Sequence, residues 1–490
     1  MILAELIKDW PCEVQGGSIR EEISGITDVA EQIQPGNIFV ARKGKLHNGW
    51  NFVSEAVAKG AVAIVYDQDQ PIEHLEVPHV WVPDCSTFLS YACKAIVGDK
   101  IELLTIIGVT GTNGKTTVTH FIGQILQKLG AKVAVLGTLG LWINGERQNQ
   151  NTSSMTTPPP TYLYPIFAQC VELGVKYIII EASSLGLSQH RLDHCPFNYG
   201  VYLNMSRDHY DEHGSKEKYE LAKRKLATLA NKIIVNADDP FCLNMKQHHV
   251  RSFTFGRHRS ADISVIHKEI EGTSTVLLVQ YLENPVELTM PFVGEHHQQN
   301  VLAAVATVQQ LGYPLQIIAP SIPYLKLPSG RQQEVENDLG IRIVIDYAHT
   351  PSALVAVLQS LKLVSKKKLI VVFGCGGDRD HGKRREMGKV ADSYAHKIWL
   401  TSDNPRREQA DMIIAQIAQG IDLTPYAIKI NRKQAIESAI AEAIPGDTVL
   451  IAGKGHETTQ IIGNEVVPFS DYEIAKEYIK LLKTRLNDEK

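Results

Sequence analysis

The stretch IIGVTGTNGKTTVTHFIGQIL, from Ile106 to Leu126, constrains the fold more than any other part of this 490-residue chain. An apolar run, a glycine-rich turn and an amphipathic pattern, in that order, predict a strand, a loop and a helix. Gly111 and Gly114 allow backbone N–H groups to close around phosphate oxygens. Lys115 brings a positive charge to the outer phosphates, and Thr116 offers a hydroxyl to Mg²⁺. The helix that starts there adds its positive N-terminal end. The strict form of this loop has glycine where Val109 stands, with Gly108 one residue early, so the reading rests on the strand–loop–helix context.

The rest of the chain has room for several domains of the same kind. Apolar strand-like runs alternate with amphipathic stretches nearly throughout, which is the pattern of α/β folding. Boundaries are expected near Val97–Lys100 and near Pro323–Gly330, giving segments 1–98, 99–327 and 328–490. The formal charge of −4 is close to balance and argues against a nucleic-acid-binding protein. The seven cysteines show no CxxC spacing, so neither a zinc site nor a disulfide framework is expected. No apolar run reaches the length of a membrane span, and the first residues do not read as a signal peptide. A soluble cytoplasmic protein is expected.

Several strand-like runs end in chemistry-bearing residues, at the end of the strand where open parallel sheets bind ligands. KYIIIEASS ends at Glu181, NYGVYLNMSRDH at Asn204, Asp208 and His209, and NKIIVNADD at Asn236, Asp238 and Asp239. These acids are expected to gather around the glycine loop. Four more runs, ending in DYAHTP, GCGGDRD, DNPR and AGKGHE, repeat the logic between Asp346 and Glu457. By residue type alone, His209 reads either as a surface histidine or as a neutral metal donor, and Lys223 as an exposed helical lysine.

Taken together, GTNGKTT, TTP at Thr156–Pro158, EASS at Glu181–Ser184, DH at Asp208–His209, DYAHTP, GCGGDRD, DNPR and AGKGHE resemble the Mur ligases, in order and over nearly the whole chain. Folylpolyglutamate synthetases share the architecture, but DYAHTP favours the Mur branch. The resemblance implies three α/β domains. These are a small N-terminal domain for a UDP group, a central P-loop ATPase domain with a mostly parallel sheet, and a C-terminal Rossmann-like domain for an incoming amino acid. It implies a monomeric, ATP- and Mg²⁺-dependent amide ligase that passes through an acyl phosphate. The nucleotide would meet Gly111, Thr112, Asn113, Gly114, Lys115, Thr116 and Thr117, with Asn300, Arg331 and Asp346. Lys115, Glu181, His209 and Lys223 would be the catalytic set. Thr116, Glu181, His209 and a carbamylated Lys223 would hold metal. Thr156, Thr157, Ser183, Gln189 and Arg191 would bind a UDP-N-acetylmuramoyl-dipeptide.

The same resemblance assigns Arg379, Asp403, Asn404, Arg406, Gly453 and Glu457 to the amino acid. DNPR goes with meso-diaminopimelate, whose second carboxylate suits the two-pronged guanidinium of Arg406. The bland alternative makes Arg406 a surface salt-bridge residue, because Arg407 and Glu408 follow it.

Some positions depart from the family. Val29 and Ala30 follow Asp28 where serine and arginine are usual. Trp50 and Leu185 replace histidines, Pro159 replaces aspartate, and Arg385 replaces proline. His296 and His297 occupy the middle of a GxFNxxN string. These departures leave open a paralogue acting on another carboxylate. A nucleotide-binding protein without ligase activity is the alternative from a different class.

Overall fold

The computed structural model describes residues 1–44, 47–68, 75–149, 155–247 and 249–488. The protein is α/β and forms two compact units between which the chain passes repeatedly. One comprises Met1–Thr110, Gly130–Val201 and Leu221–Ile233; the other comprises Gly111–Leu129, Tyr202–Glu220 and Ile234–Lys490. Among the described residues no helix is long and apolar enough to cross a membrane.

In the first unit, the N-terminal residues form a sheet in the order Glu13–Gln15, His79–Trp81, Ala63–Tyr66, Asn37–Val40, Gly25–Thr27. Its pairs are parallel except for the first. Phe39, Val53, Ile64 and Tyr66 form the core on one of its faces. Farther along, Thr105–Thr110 lies next to Tyr177–Glu181 in parallel register, with Ile178 opposite Ile106 and Glu181 opposite Val109. Tyr177–Glu181 then pairs in parallel with Val133–Gly137. YIIIE and VAVLG are buried throughout, as expected for strands covered on both faces.

This register explains the variant loop. Val109 is a fully buried strand residue whose carbonyl accepts from Ala182 N at 2.9 Å. The glycine is needed one residue earlier, where a side chain at Gly108 would approach Phe197 to 2.8 Å and Leu226 to 2.9 Å.

In the second unit, helix Lys115–Lys128 buries Val118, Phe121, Ile122, Ile125 and Leu126. Their helical spacing makes one apolar stripe, which packs on helix Glu295–Gln310. The C-terminal sheet has the order Gln333–Glu334, Arg342–Asp346, Thr448–Ala452, Leu369–Phe373, Lys397–Leu400, Tyr426–Ile428. All its pairs beyond the first are parallel. Alternate residues of each strand serve opposite faces. Val344, Val371 and Leu450 pack with Leu354, Leu358 and Met387 on one side. Ile343, Ile370 and Val449 pack with Ile436, Ile440 and Ile479 on the other. The sheet is therefore doubly wound. Its carboxyl edge carries Asp346, the loop after Phe373, the Asp403–Arg406 turn and Gly453–Glu457 side by side.

A buried ion pair braces that edge. The Arg432 guanidinium donates to both oxygens of Asp471 at 2.8 Å and to the carbonyl of Ala452 at 2.9 Å. Both side chains are fully buried.

Candidate active site

The glycine loop belongs wholly to the second unit. Gly114 has φ +90°, and a side chain there would meet Asn300 Oδ1 at 2.5 Å, so glycine is required both for the backbone angle and for the close approach of Asn300. Lys115 Nζ donates to the carbonyls of Gly111 at 2.9 Å and Thr112 at 3.1 Å, folding the ammonium over the loop. The segment after Tyr202 locks the loop from the side. Asn204 Oδ1 accepts from Asn113 N at 2.9 Å, Asn204 Nδ2 donates to Asn113 O at 3.0 Å, and Ser206 N donates to Thr112 Oγ1 at 2.9 Å. Thr117 is buried in the first helical turn.

Asp208 and His209 follow directly. His209 takes φ +54°, with Nδ1 2.7 Å from Glu212 Oε2 and Nε2 3.3 Å from Asp208 Oδ2. Burial alone would raise the Asp208 carboxyl; His349, His209, Lys383 and Lys115 outweigh it and hold the group below the usual carboxylate range. The expected gathering of acids is only partial. Asp238 accepts instead from the backbone N–H groups of Arg257 and His258. Asp239 caps the next helix through Cys242 N and accepts from Met205 N.

Residues after the Leu325–Gly330 segment reach the same loop. Arg331 Nη2 lies 3.2 Å from Thr116 Oγ1, with its guanidinium 4.5 Å above the Tyr347 ring. Asp346 accepts from Gln332 N and Ala348 N, both at 2.7 Å. Burial raises the Asp346 carboxyl, against the pull of Arg331 and these two N–H groups.

His297 is buried and His296 half-buried, with ring centroids 3.9 Å apart. His296 Nε2 lies 3.1 Å from Gln332 Nε2, and among the described residues neither ring nitrogen of His297 has a hydrogen-bond partner. Burial pushes His297 from 6.5 down to about 4. Between these two values an unfolded chain takes up a proton that the folded one refuses. Stability is therefore full above pH 6.5 and lost as pH falls toward 4, by about 3 kcal/mol for this residue. His297→Leu is expected to flatten the fall in urea midpoint between pH 7.5 and pH 4.5. An unchanged pH slope would show that the residue titrates normally.

At the C-terminal edge, Asn404 Nδ2 donates to Glu457 Oε2 at 3.0 Å, and the fully buried Lys454 donates to Asn404 Oδ1 at 3.0 Å and Glu457 Oε2 at 2.7 Å. Asp403 Oδ1 accepts from Asn404 N at 2.7 Å. Gly453 has φ +114°, and a side chain there would press on Asp403 Oδ2. Arg406 has φ +52° and donates from Nη1 to Gly377 O at 2.8 Å, with no carboxylate partner among the described residues. The surface ion pairs belong to its neighbours: Arg407 pairs with Asp378 at 2.9 Å and Glu408 with the buried Arg384 at 2.8 Å. The Arg384 hydrogen bonds pull Glu408 down to about 2. Arg379 Nη1 stands 3.4 Å from Glu212 Oε1.

The remaining expected residues lie in the first unit. The Glu181 carboxylate, 1% exposed, accepts from Thr138 N at 2.8 Å and Thr138 Oγ1 at 3.1 Å. Thr138 Oγ1 is 3.1 Å from Thr156 Oγ1. Thr157 Oγ1 bridges Glu181 O, Ser183 N and Ser183 Oγ. Arg191 donates to Thr157 O at 2.6 Å and to Gln189 Oε1. Burial and the nearby Arg42 lower the Arg191 guanidinium against the opposing pull of Asp28, which itself pairs with Arg42 at 2.5 Å. Lys223 is 1% exposed, so the reading of it as an exposed helical lysine fails.

Sequence reasoning missed Lys454, Arg384, Lys383 and Glu212. Lys454 and Lys383 sit within or beside quoted motifs, and Arg384 follows Lys383. Glu212 carries no signal except its spacing from His209.

Comparison with known proteins adds a separate line. The Mur ligase middle domain model matches residues 109–308, and the Mur ligase glutamate ligase domain model matches residues 330–455. A UDP-N-acetylmuramoyl-L-alanyl-D-glutamate–2,6-diaminopimelate ligase of Caldanaerobacter subterraneus subsp. tengcongensis is 38% identical over 98% of this chain and 99% of its own length. A ligase of the same name from Syntrophomonas wolfei is 34% identical over 98% and 99%. A solved structure of a ligase with this name matches at TM-score 0.70 and 30% identity, covering 99% of both chains. A MurF ligase from Thermotoga maritima, solved with ADP, shares the fold at TM-score 0.65 and 17% identity over 95% of this chain and 99% of its own. A glycine loop with its lysine, a following Asp–His pair and a doubly wound C-terminal sheet with DNPR at its edge agree with these matches: the chain belongs to the Mur ligase family.

Proposed function

We propose that this protein joins meso-2,6-diaminopimelate to the D-glutamyl carboxylate of UDP-N-acetylmuramoyl-L-alanyl-D-glutamate, converting ATP to ADP and phosphate. The observation that carries this reading is Arg406, a guanidinium without a carboxylate partner among the described residues, in the turn after strand Lys397–Leu400 and next to Asn404, which bonds Glu457. A second carboxylate on the incoming amino acid meets it in the two-pronged geometry that arginine favours. The names of the full-length relatives support the same reaction.

The chemistry has two steps. A carboxylate oxygen attacks the γ-phosphorus and the bond to ADP breaks, leaving an acyl phosphate. The amine then adds to the acyl carbon, and the tetrahedral intermediate loses phosphate and a proton. Lys115, released from Gly111 O and Thr112 O, neutralises charge on the transferred group. Asn300, Arg331 and Asp346 bind the nucleotide with residues 111–117. Thr156, Thr157, Ser183, Gln189 and Arg191 hold the acceptor. Arg379, Asp403, Asn404, Gly453 and Glu457 orient the amino acid with Arg406. Exclusion of water protects the acyl phosphate from hydrolysis.

Mg²⁺ bound with the nucleotide supplies further charge cancellation. The buried Thr116 hydroxyl and Glu181 carboxylate are oxygen donors of the kind it takes. His209 and Lys223 complete the set that would hold it. Carbamylation would turn the buried Lys223 from a cation into an anion suited to a cation. The division of labour is residues 1–98 for the UDP end, 99–327 for ATP and 328–490 for the amino acid, in a cytoplasmic monomer.

The test is phosphate release from ATP by the purified protein. Release is expected only when the UDP-linked dipeptide and meso-diaminopimelate are both present, with L-lysine a poor substitute. Release without either, or with lysine equally, would overturn the reading.

A further inference from the structure

Two short segments of the second unit meet through crossed charges. Arg207 donates to both oxygens of Asp380, at 2.9 and 3.0 Å, and lies 3.6 Å from Glu386. Five residues on, Glu212 reaches back to Arg379 at 3.4 Å. Adjacent residues of opposite charge, Arg379 and Asp380, thus face Arg207 and, in the short helix Tyr210–His213, Glu212. The two contacts differ in kind. Arg207–Asp380 is bidentate and well formed; burial would raise Asp380, and the Arg207 hydrogen bonds overcome it and hold the carboxyl low. Glu212–Arg379 is a single long contact on a guanidinium whose side chain is 43% exposed. The other oxygen of Glu212 is engaged more firmly, 2.7 Å from His209 Nδ1.

We infer that Glu212 is a displaceable counter-ion for Arg379, holding the place of the incoming amino acid's carboxylate. The inference rests on the reading of Arg379 as a carboxylate-binding residue. A carboxylate that arrives in fork geometry replaces one long contact with two short charge-assisted ones. Glu212 then keeps its bond to His209, and Arg207–Asp380 keeps the two segments together during the exchange. Glu212 is thereby a positioning residue that sets amino-acid affinity and links the occupancy of Arg379 to the seating of His209.

Glu212→Gln separates the two roles. The amide oxygen still accepts from His209, but the charge that competes for Arg379 is gone. In the full-length protein under saturating ATP and acceptor, KM for meso-diaminopimelate is expected to fall about threefold in the variant, the size of a partly exposed ion pair. The change should fall on that KM and not on the KM for ATP, which also reports that the loop is folded. Glu212→Asp, which draws the carboxylate back by one methylene, should move KM in the same direction. Glu212→Ala removes the acceptor for His209 and should lower kcat as well. An unchanged or higher amino-acid KM in Glu212→Gln, with an active parent protein, would overturn the counter-ion role and leave the ligase reading standing. A parent protein that shows no diaminopimelate-dependent turnover would overturn both.

Discussion

Lys115→Met is expected to lower ATP-dependent ligation about a thousandfold while the protein still folds. The ammonium sits on two carbonyls of its own loop, and Gly114 and Asn300 fix the loop's shape without it. Its removal therefore costs little structure. The cost falls on the transferring phosphoryl group, whose charge this ammonium would otherwise neutralise. Arg331, just after the Leu325–Gly330 segment, approaches Thr116, and Lys383 acts on Asp208. Losing one preorganised cation in a water-poor site is worth about 4 kcal/mol in the transition state, which is three powers of ten in rate. Phosphate release at saturating substrates, with thermal melting as the control for folding, measures both halves. A variant that retains more than a tenth of the parent kcat would remove Lys115 from the catalytic set.

How far the site could be read from sequence depends on how local each cause is. The strand–turn–helix around Gly114 and Lys115 was legible because an apolar run, the glycines and an amphipathic pattern follow one another within a few residues. The doubly wound C-terminal sheet was legible for a similar reason: LIVVF and TVLIA are continuous apolar runs, and only strands covered on both faces are written that way. Val109 looked like a defect in a pattern; the ladder shows a buried strand position, with the need for glycine moved to Gly108 by Phe197 and Leu226. Asp238 misled because an acid after a strand can as well cap a neighbouring loop, and the partners here, Arg257 and His258, lie about one further strand along. Pairs such as Glu212–Arg379 and Arg384–Glu408 join residues far apart in sequence, and no local pattern encodes them. Lys454 was hidden by its type: a lysine in a glycine-rich turn reads as solvated, yet here it is fully buried between Asn404 and Glu457.

Arg406→Lys is expected to lower kcat/KM for meso-diaminopimelate about a hundredfold and to leave the low activity with L-lysine nearly where it was. The substitution keeps the charge and removes the fork. Backbone geometry at the site should survive, because the φ of +52° is held by Arg406 N on Ile461 O and by Gly463 N on Arg406 O, neither of which involves the side chain. Arg407 and Glu408 keep their own pairs with Asp378 and Arg384, so the turn stays anchored on both sides. What is lost is the second parallel hydrogen bond to the distal carboxylate, together with the orientation that Gly377 O imposes on the guanidinium. A charge-assisted bidentate contact is worth about 1.5–3 kcal/mol, or roughly ten- to a hundredfold and somewhat beyond. L-Lysine carries no distal carboxylate and cannot use that contact, so its loss should be small. The ratio of the two specificity constants isolates the effect from any general damage, because a misfolded edge would lower both. Equal losses for the two amino acids would place Arg406 in the scaffold of the turn and move the choice of amino acid elsewhere along the strand edge.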